Sequence, residues 1–165
     1  MLNIVLHEPE MPANTGNIGR TCVATGSVLH LIEPLGFRIN DKMIKRAGLD
    51  YWEHLDVRTY DNYEDFLEKN PKAREKIYMI TTKGLNNYTD AEYEDGCYIM
   101  FGKESAGIPE EILMDHKDTC LRIPMLPQIR SLNLANSVAI VAYEALRHQD
   151  FKGFQVQGQL HHHRW

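Results

Sequence analysis

Five short apolar runs punctuate the chain, at residues 2–6, 28–32, 76–82, 97–101 and 119–123. None alternates cleanly between apolar and polar positions, so each predicts a strand covered on both faces rather than one. Between them the spacing turns helical. One helix runs from beyond Asn17 to about Ala24 and ends at Gly26. A short basic helix is predicted at 41–47, with Asp41 near its start and Gly48 after its end. An amphipathic one at 61–69 carries Tyr63, Phe66 and Leu67 and is closed by Asn70-Pro71. Pro109 opens another, and the longest extends from Asn133 to about His148. In that last helix Leu134, Val138, Val141, Ala142 and Ala145 form one stripe, a core or dimer face, and Ala135 and Ala139 permit close approach. Strands alternating with helices predict an α/β fold, a parallel sheet with helices on both faces.

At 165 residues the chain is long enough for one domain with a real core. One domain is expected over residues 1–153, with 154–165 as a flexible tail. No apolar run approaches a membrane span, and the N-terminal Met-Leu-Asn-Ile has no basic region of the kind a signal peptide carries. Cys22, Cys97 and Cys120 are odd in number, lack CxxC spacing and have apolar neighbours, which predicts buried thiols and a cytoplasmic protein. A net charge of −5 excludes a generally basic surface. It leaves room for local cations: Arg38, Lys42, Lys45 and Arg46 crowd one stretch, and Arg122 and Arg130 flank a loop. A few such contacts can hold RNA selectively. His7, His30, His54, His116 and His148 have no metal-ligand spacing, and His161-His-His163 lies in the tail. No metal site is expected.

Candidate chemistry concentrates just past strand ends, where parallel sheets place their ligands. Ile99-Met-Phe-Gly-Lys-Glu-Ser-Ala-Gly-Ile-Pro109 runs a strand into a loop whose two glycines bracket Glu104. Glycine lets backbone groups approach a ligand closely. No Lys-Ser/Thr pair follows Gly107 and GxGxxG is absent, so both common nucleotide loops are excluded. Asn14-Thr-Gly-Asn-Ile-Gly-Arg20 reads either as a capped helix start or as a polar cluster able to grip a phosphate or ribose. Arg122-Ile-Pro-Met-Leu-Pro-Gln-Ile-Arg-Ser-Leu-Asn133 leads from a strand into the long helix, whose N-terminus offers free N–H groups. Ser131 and Asn133 are candidate caps.

These three segments, in this order, resemble the SPOUT superfamily of S-adenosylmethionine-dependent RNA methyltransferases, in its SpoU 2′-O-ribose branch. The branch shows NxGNxxR, FGxExxG and IPM…S-L/M-N-L-S/A-N-S segments, matched here at 14–20, 101–107 and 123–137. Ile32-Glu-Pro-Leu-Gly-Phe37, Arg46-Ala-Gly-Leu-Asp-Tyr51 and Thr81-Thr-Lys-Gly84 are similar to the small TrmL-type members. The chain departs at Lys103 and Ser105-Ala106, where many relatives carry Pro and Thr-Arg. The resemblance implies a deep trefoil knot in the C-terminal part and a homodimer with a shared active site. It implies S-adenosylmethionine as cofactor, held by Ile80, Gly102, Ile123 and Ser131 with Thr82, Met125 and Leu132 close by. The implied reaction is 2′-O-methylation of the wobble cytidine or uridine of tRNA, leucine tRNAs foremost. Arg20 would act as base or as electrostatic stabiliser, with Asn14, Glu104 and Asn133 keeping it and the nucleotide in register. Lys42, Lys45, Arg46 and Arg130 would contact RNA phosphates. Three other readings stay open on the residues alone: a ribosomal RNA methyltransferase, a noncatalytic nucleotide- or RNA-binding module, and a flavodoxin-like enzyme.

Overall fold

A computed structural model of the chain describes residues 1–40 and 52–165. The predicted basic helix at 41–47, and with it Lys42, Lys45 and Arg46, lies outside the described residues.

The strands are β1 (Asn3–His7), β2 (Val28–Ile32), β3 (Val57–Tyr60), β4 (Ile77–Ile80), β5 (Asn86–Asn87), β6 (Tyr98–Phe101) and β7 (Cys120–Arg122). They form one sheet in the order β3-β2-β1-β6-β4-β7-β5. Every recorded pairing between them is parallel, with Val5 opposite His30 on one side and Met100 on the other. The helices are α1 (Pro12–Thr25), α2 (Tyr63–Lys69), α3 (Glu110–Met114) and α4 (Leu134–His148).

Alternation along β1 explains the layers, since successive side chains leave opposite faces. Ile4 and Leu6 pack with Ile18 and Cys22 of α1 and with Val138, Val141, Ala142 and Ala145 of α4. Val5 packs into a second cluster with Phe66 and Leu67 of α2 and Leu113 of α3. Helices therefore cover both faces, and the stripe expected on the last helix is core. Phe154 packs against the first cluster, while residues 155–165 are exposed.

Helix boundaries follow local chemistry. α1 begins earlier than the sequence suggests, with Pro12 in its first turn, so Asn14, Gly16 and Asn17 are helical rather than a preceding loop. It ends at Gly26, whose N–H bonds back to Val23. α2 begins at Tyr63 rather than Asp61 because Asn62 Oδ1 caps it, accepting from the Asp65 N–H at 2.8 Å. Two strands escape the apolar pattern. β3 (Val-Arg-Thr-Tyr) is an edge strand with exposed Arg58 and Thr59, and β5 is two exposed asparagines beside Leu121 and Arg122.

One buried polar cluster crosses β1, β2 and β3. His30 is fully buried, with Nδ1 2.7 Å from the Tyr60 hydroxyl and Nε2 2.9 Å from Asn3 Oδ1. Asn3 Nδ2 donates to the Gly96 and Cys97 carbonyls, so its Oδ1 must face the ring. Nε2 therefore carries the proton and Nδ1 accepts from Tyr60. Burial pushes the His30 imidazole down to about 4, which keeps it neutral.

Candidate functional site

The carboxyl ends of β4, β6 and β7 meet the N-termini of α1 and α4 at a cleft of about 650 Å³. This lies in the range of small-molecule sites. Its walls come from three loops, after Ile80, after Phe101 and after Arg122.

The middle loop owes its shape to two glycines. A Cβ on Gly102 would stand 2.0 Å from the Gly107 carbonyl carbon and 2.2 Å from the Ile108 nitrogen, so no other residue fits there. Gly107 adopts φ +71°, and its N–H donates to the Lys103 carbonyl at 2.8 Å. The loop is thereby folded back on itself. Three of its consecutive side chains reach the segment joining β1 to α1. Lys103 Nζ lies 3.3 Å from Glu8 Oε2, and the Ser105 hydroxyl donates to Glu10 Oε1. Between them, Glu104 accepts from the Glu10 N–H at 2.8 Å, the Met11 N–H at 3.2 Å and Asn14 Nδ2 at 3.3 Å.

Glu104 therefore braces the entry to α1, which carries no side-chain cap of its own. Met11 occupies the N-cap position, no side chain near it makes a cap bond, and the first turn has no acid. A carboxylate 90 residues away in sequence takes that place, where exposed N–H groups and the helix dipole favour negative charge. The polar chain continues. Asn133 Nδ2 donates to Asn14 Oδ1 at 3.1 Å, and Asn133 Oδ1 accepts from the Asn136 N–H at 3.2 Å, capping α4. Asn14, Glu104 and Asn133 thus form one hydrogen-bonded line that locks the two helix starts to the glycine loop.

Ile80, Thr82, Gly102, Ile123, Met125, Ser131 and Leu132 all line the cleft, as do Asn14, Glu104, Asn133 and Arg130. Arg20 does not. It is an exposed residue of α1, about 9 Å along the helix axis from Asn14 at 1.5 Å per residue. The lining also includes Lys83, Lys103 and Ser137, which sequence reasoning had not placed there. Lys83 pairs with Glu110 at 3.1 Å, and the Ser137 hydroxyl donates to the Asn133 carbonyl at 3.1 Å. Lys83 sits in a strand-end loop, the one signal that could have nominated it.

The walls combine apolar side chains, from Ile80, Ile123, Met125 and Leu132, with loop backbone and the cations Lys83 and Arg130. That suits a ligand with a flat apolar part and polar ends. Nucleophilic thiol chemistry has no support here: all three cysteines are buried, and burial pushes Cys22 and Cys97 up to about 12. Among the described residues no group of three or more His, Cys, Asp or Glu is placed to hold a metal.

Residues 1–143 match the SpoU rRNA Methylase family. An Escherichia coli K12 protein named tRNA (cytidine(34)-2′-O)-methyltransferase is 48% identical over 155 residues, covering 93% of this chain and 97% of that one. A solved structure described as giving insights into the 2-OH methylation of C/U34 on tRNA superposes with a TM-score of 0.84 at 44% identity, covering 92% of this chain and 98% of that one. An rRNA methyltransferase from Sinorhizobium meliloti, solved with AdoMet bound, superposes with a TM-score of 0.79 at 26% identity, over 89% of this chain and 56% of that one.

Proposed function

The chain belongs to the SpoU rRNA methylase family, and we propose that within it the protein transfers a methyl group from S-adenosylmethionine to the ribose 2′-hydroxyl of the wobble cytidine or uridine of tRNA. The observation that carries this reading is the cleft itself, in a chain 48% identical to a tRNA (cytidine(34)-2′-O)-methyltransferase along nearly its whole length.

The cleft fits the cofactor by size and by donor set. Ile80, Ile123, Met125 and Leu132 offer apolar surface to an adenine. The backbone of the loop at Gly102, with Thr82 and Ser131, offers hydrogen bonds to a ribose and an amino acid end. When bound, the cofactor supplies an electrophilic methyl group on a sulfonium. What the chain must add is alignment of the 2′-oxygen and help with its proton, because a ribose hydroxyl is a weak acid. Alignment alone accounts for much of the rate in such reactions. The fork of the Arg20 guanidinium suits it to hold a phosphate and to stabilise charge developing on the ribose oxygen. Asn14, Glu104 and Asn133 hold α1, and Arg20 with it, in register with the cofactor loop. Arg130 in the cleft and Lys42, Lys45 and Arg46 outside the described residues serve RNA phosphates.

Arg20 stands outside the cleft lining, which supports a homodimer in which one protomer's Arg20 serves its partner's cleft. Ile140 and Tyr143 on α4, 37% and 47% exposed, supply apolar surface for such a dimer. A deep trefoil knot formed by the chain from β7 onward is part of the same reading. It is supported by the likeness to solved methyltransferases and by the return of Asn133 to Asn14. A tRNA substrate places the protein in the cytoplasm.

The test is methyl transfer from labelled S-adenosylmethionine to total tRNA and to ribosomal RNA, followed by nucleoside mass spectrometry. A 2′-O-methylated pyrimidine at position 34, leucine tRNAs foremost, is the expected product. Label in ribosomal RNA alone, or cofactor binding with no transfer to any RNA, overturns the proposal.

A further inference from the structure

Lys103 lines the cleft, yet its ammonium is engaged away from it, on Glu8 at the end of the first strand. Glu8 does not line the cleft. It holds a left-handed conformation, φ +53°, uncommon for a residue with a side chain, and its N–H bonds to the Ile32 carbonyl at 2.9 Å. Such a backbone persists where the surroundings fix it. Among the described residues Glu8 has one other basic neighbour, the His7 ring at 3.9 Å. Burial lowers the pKa of that imidazole, so the cation facing Glu8 is Lys103.

Lys103 is also the first of three successive residues that grip the same short segment. Glu104 binds the N–H groups of Glu10 and Met11, and Ser105 binds the Glu10 carboxylate. The ion pair is the contact nearest Gly102, where an added Cβ would stand 2.0 Å from the Gly107 carbonyl carbon. Releasing Lys103 frees the near end of the loop while Glu104 still holds its middle.

We propose that Lys103 is a positioning residue: acting through Glu8, it sets the Gly102 end of the loop in the conformation that binds the cofactor. This rests on the reading of the cleft as a S-adenosylmethionine site.

Calorimetric titration of S-adenosylmethionine into wild type, Lys103→Met, Lys103→Arg, Glu8→Gln and the exchanged pair Glu8→Lys/Lys103→Glu tests this, with thermal unfolding confirming that each variant is folded. Lys103→Met and Glu8→Gln are each expected to weaken binding about two- to fivefold, the effect of a partly exposed ion pair. Lys103→Arg and the exchanged pair recover most of it. In methyl-transfer assays the loss falls on KM for the cofactor, with kcat at saturation within about twofold of wild type. If Lys103→Met weakens binding and Glu8→Gln does not, Lys103 touches the cofactor directly and the proposal fails. It fails as well if neither variant changes the affinity. Absence of binding by wild type overturns the cofactor reading itself, an outcome distinct from either.

Discussion

Replacing Glu104 by alanine removes three acceptor bonds at once, to the Glu10 N–H at 2.8 Å, the Met11 N–H at 3.2 Å and Asn14 Nδ2 at 3.3 Å. The Met11 bond is exposed, so water replaces it at little cost. The Glu10 bond and the Asn14 bond are partly buried and charge-assisted, and hydrogen bonds to charged groups contribute about 1.5–3 kcal/mol in favourable settings. The carboxylate also opposes the positive end of the α1 dipole, worth about 0.3–1 kcal/mol. Because α1 has no local cap, nothing within the helix takes over. Allowing for partial exposure, the loss is about 2–3 kcal/mol, comparable with losing a strong N-cap and one further bond. For a chain of this size each kcal/mol moves Tm by about 2–4 °C, so Glu104→Ala is expected to melt about 4–12 °C lower.

Glu104→Gln separates the causes. It keeps the shape and one acceptor oxygen but loses the charge and sets an NH2 against a donor that the second oxygen had bonded, so its cost is about 1–2 kcal/mol, about 2–8 °C. Thermal unfolding by circular dichroism at low and at 1 M salt reads both, and the dipole share shrinks at high salt because exposed charges are screened. A Glu104→Ala protein melting within about 1 °C of wild type would falsify the assignment of Glu104 as the brace of the α1 entry.

Three further outcomes follow from the same geometry. Gly102→Ala puts a Cβ 2.0 Å from the Gly107 carbonyl carbon, and the displaced loop is expected to bind S-adenosylmethionine at least about tenfold more weakly by calorimetry; unchanged affinity contradicts the geometry. Arg20→Ala is expected to abolish methyl transfer while leaving cofactor affinity near wild type, and turnover at the wild-type rate removes Arg20 from the mechanism. For His30 the native pKa of about 4 lies below the unfolded value near 6.5, so the unfolded chain binds the extra proton: stability is fully present above pH 6.5 and is lost as pH falls toward 4. Between pH 7 and 4.5 that loss is about 2 kcal/mol, measurable by urea unfolding, and His30→Gln should flatten this limb; an equally steep limb in the variant points to other groups.

The parts of the fold legible in the sequence were those set by burial on both faces. β1, β2 and β6 are continuous apolar runs because helices cover each side, and such runs announce themselves. β3 was silent because it lies at the sheet edge, where Arg58 and Thr59 meet solvent and carry no apolar signal. β5 is too short to have a period. The start of α1 was misplaced for a different reason. Local capping rules look for Ser, Thr, Asp or Asn beside the first turn, and those rules pointed into Asn14-Thr-Gly-Asn17. The acid that satisfies that end lies 90 or more residues away, so no local window contains both.

The same separation governs the site. Glycine spacing marked the loop from Gly102 to Gly107, because close backbone approach needs residues without side chains. What the glycines could not reveal is the direction in which the side chains between them point. Read in sequence, Glu104 is an acid offered to a ligand, flanked by a lysine and a serine that merely depart from a familiar pattern. In the folded chain all three turn to the β1–α1 joint, and Glu104 there accepts from Asn14, to which Asn133 donates in turn. Lys103 and Ser105 then have partners that explain them, Glu8 and Glu10, two residues apart on one segment. The effects of changes at 103 and 8, and at 105 and 10, are consequently expected to be non-additive, and pairwise substitution across the four positions measures that dependence directly. Independent, additive effects would mean that the glycine loop stands without the joint.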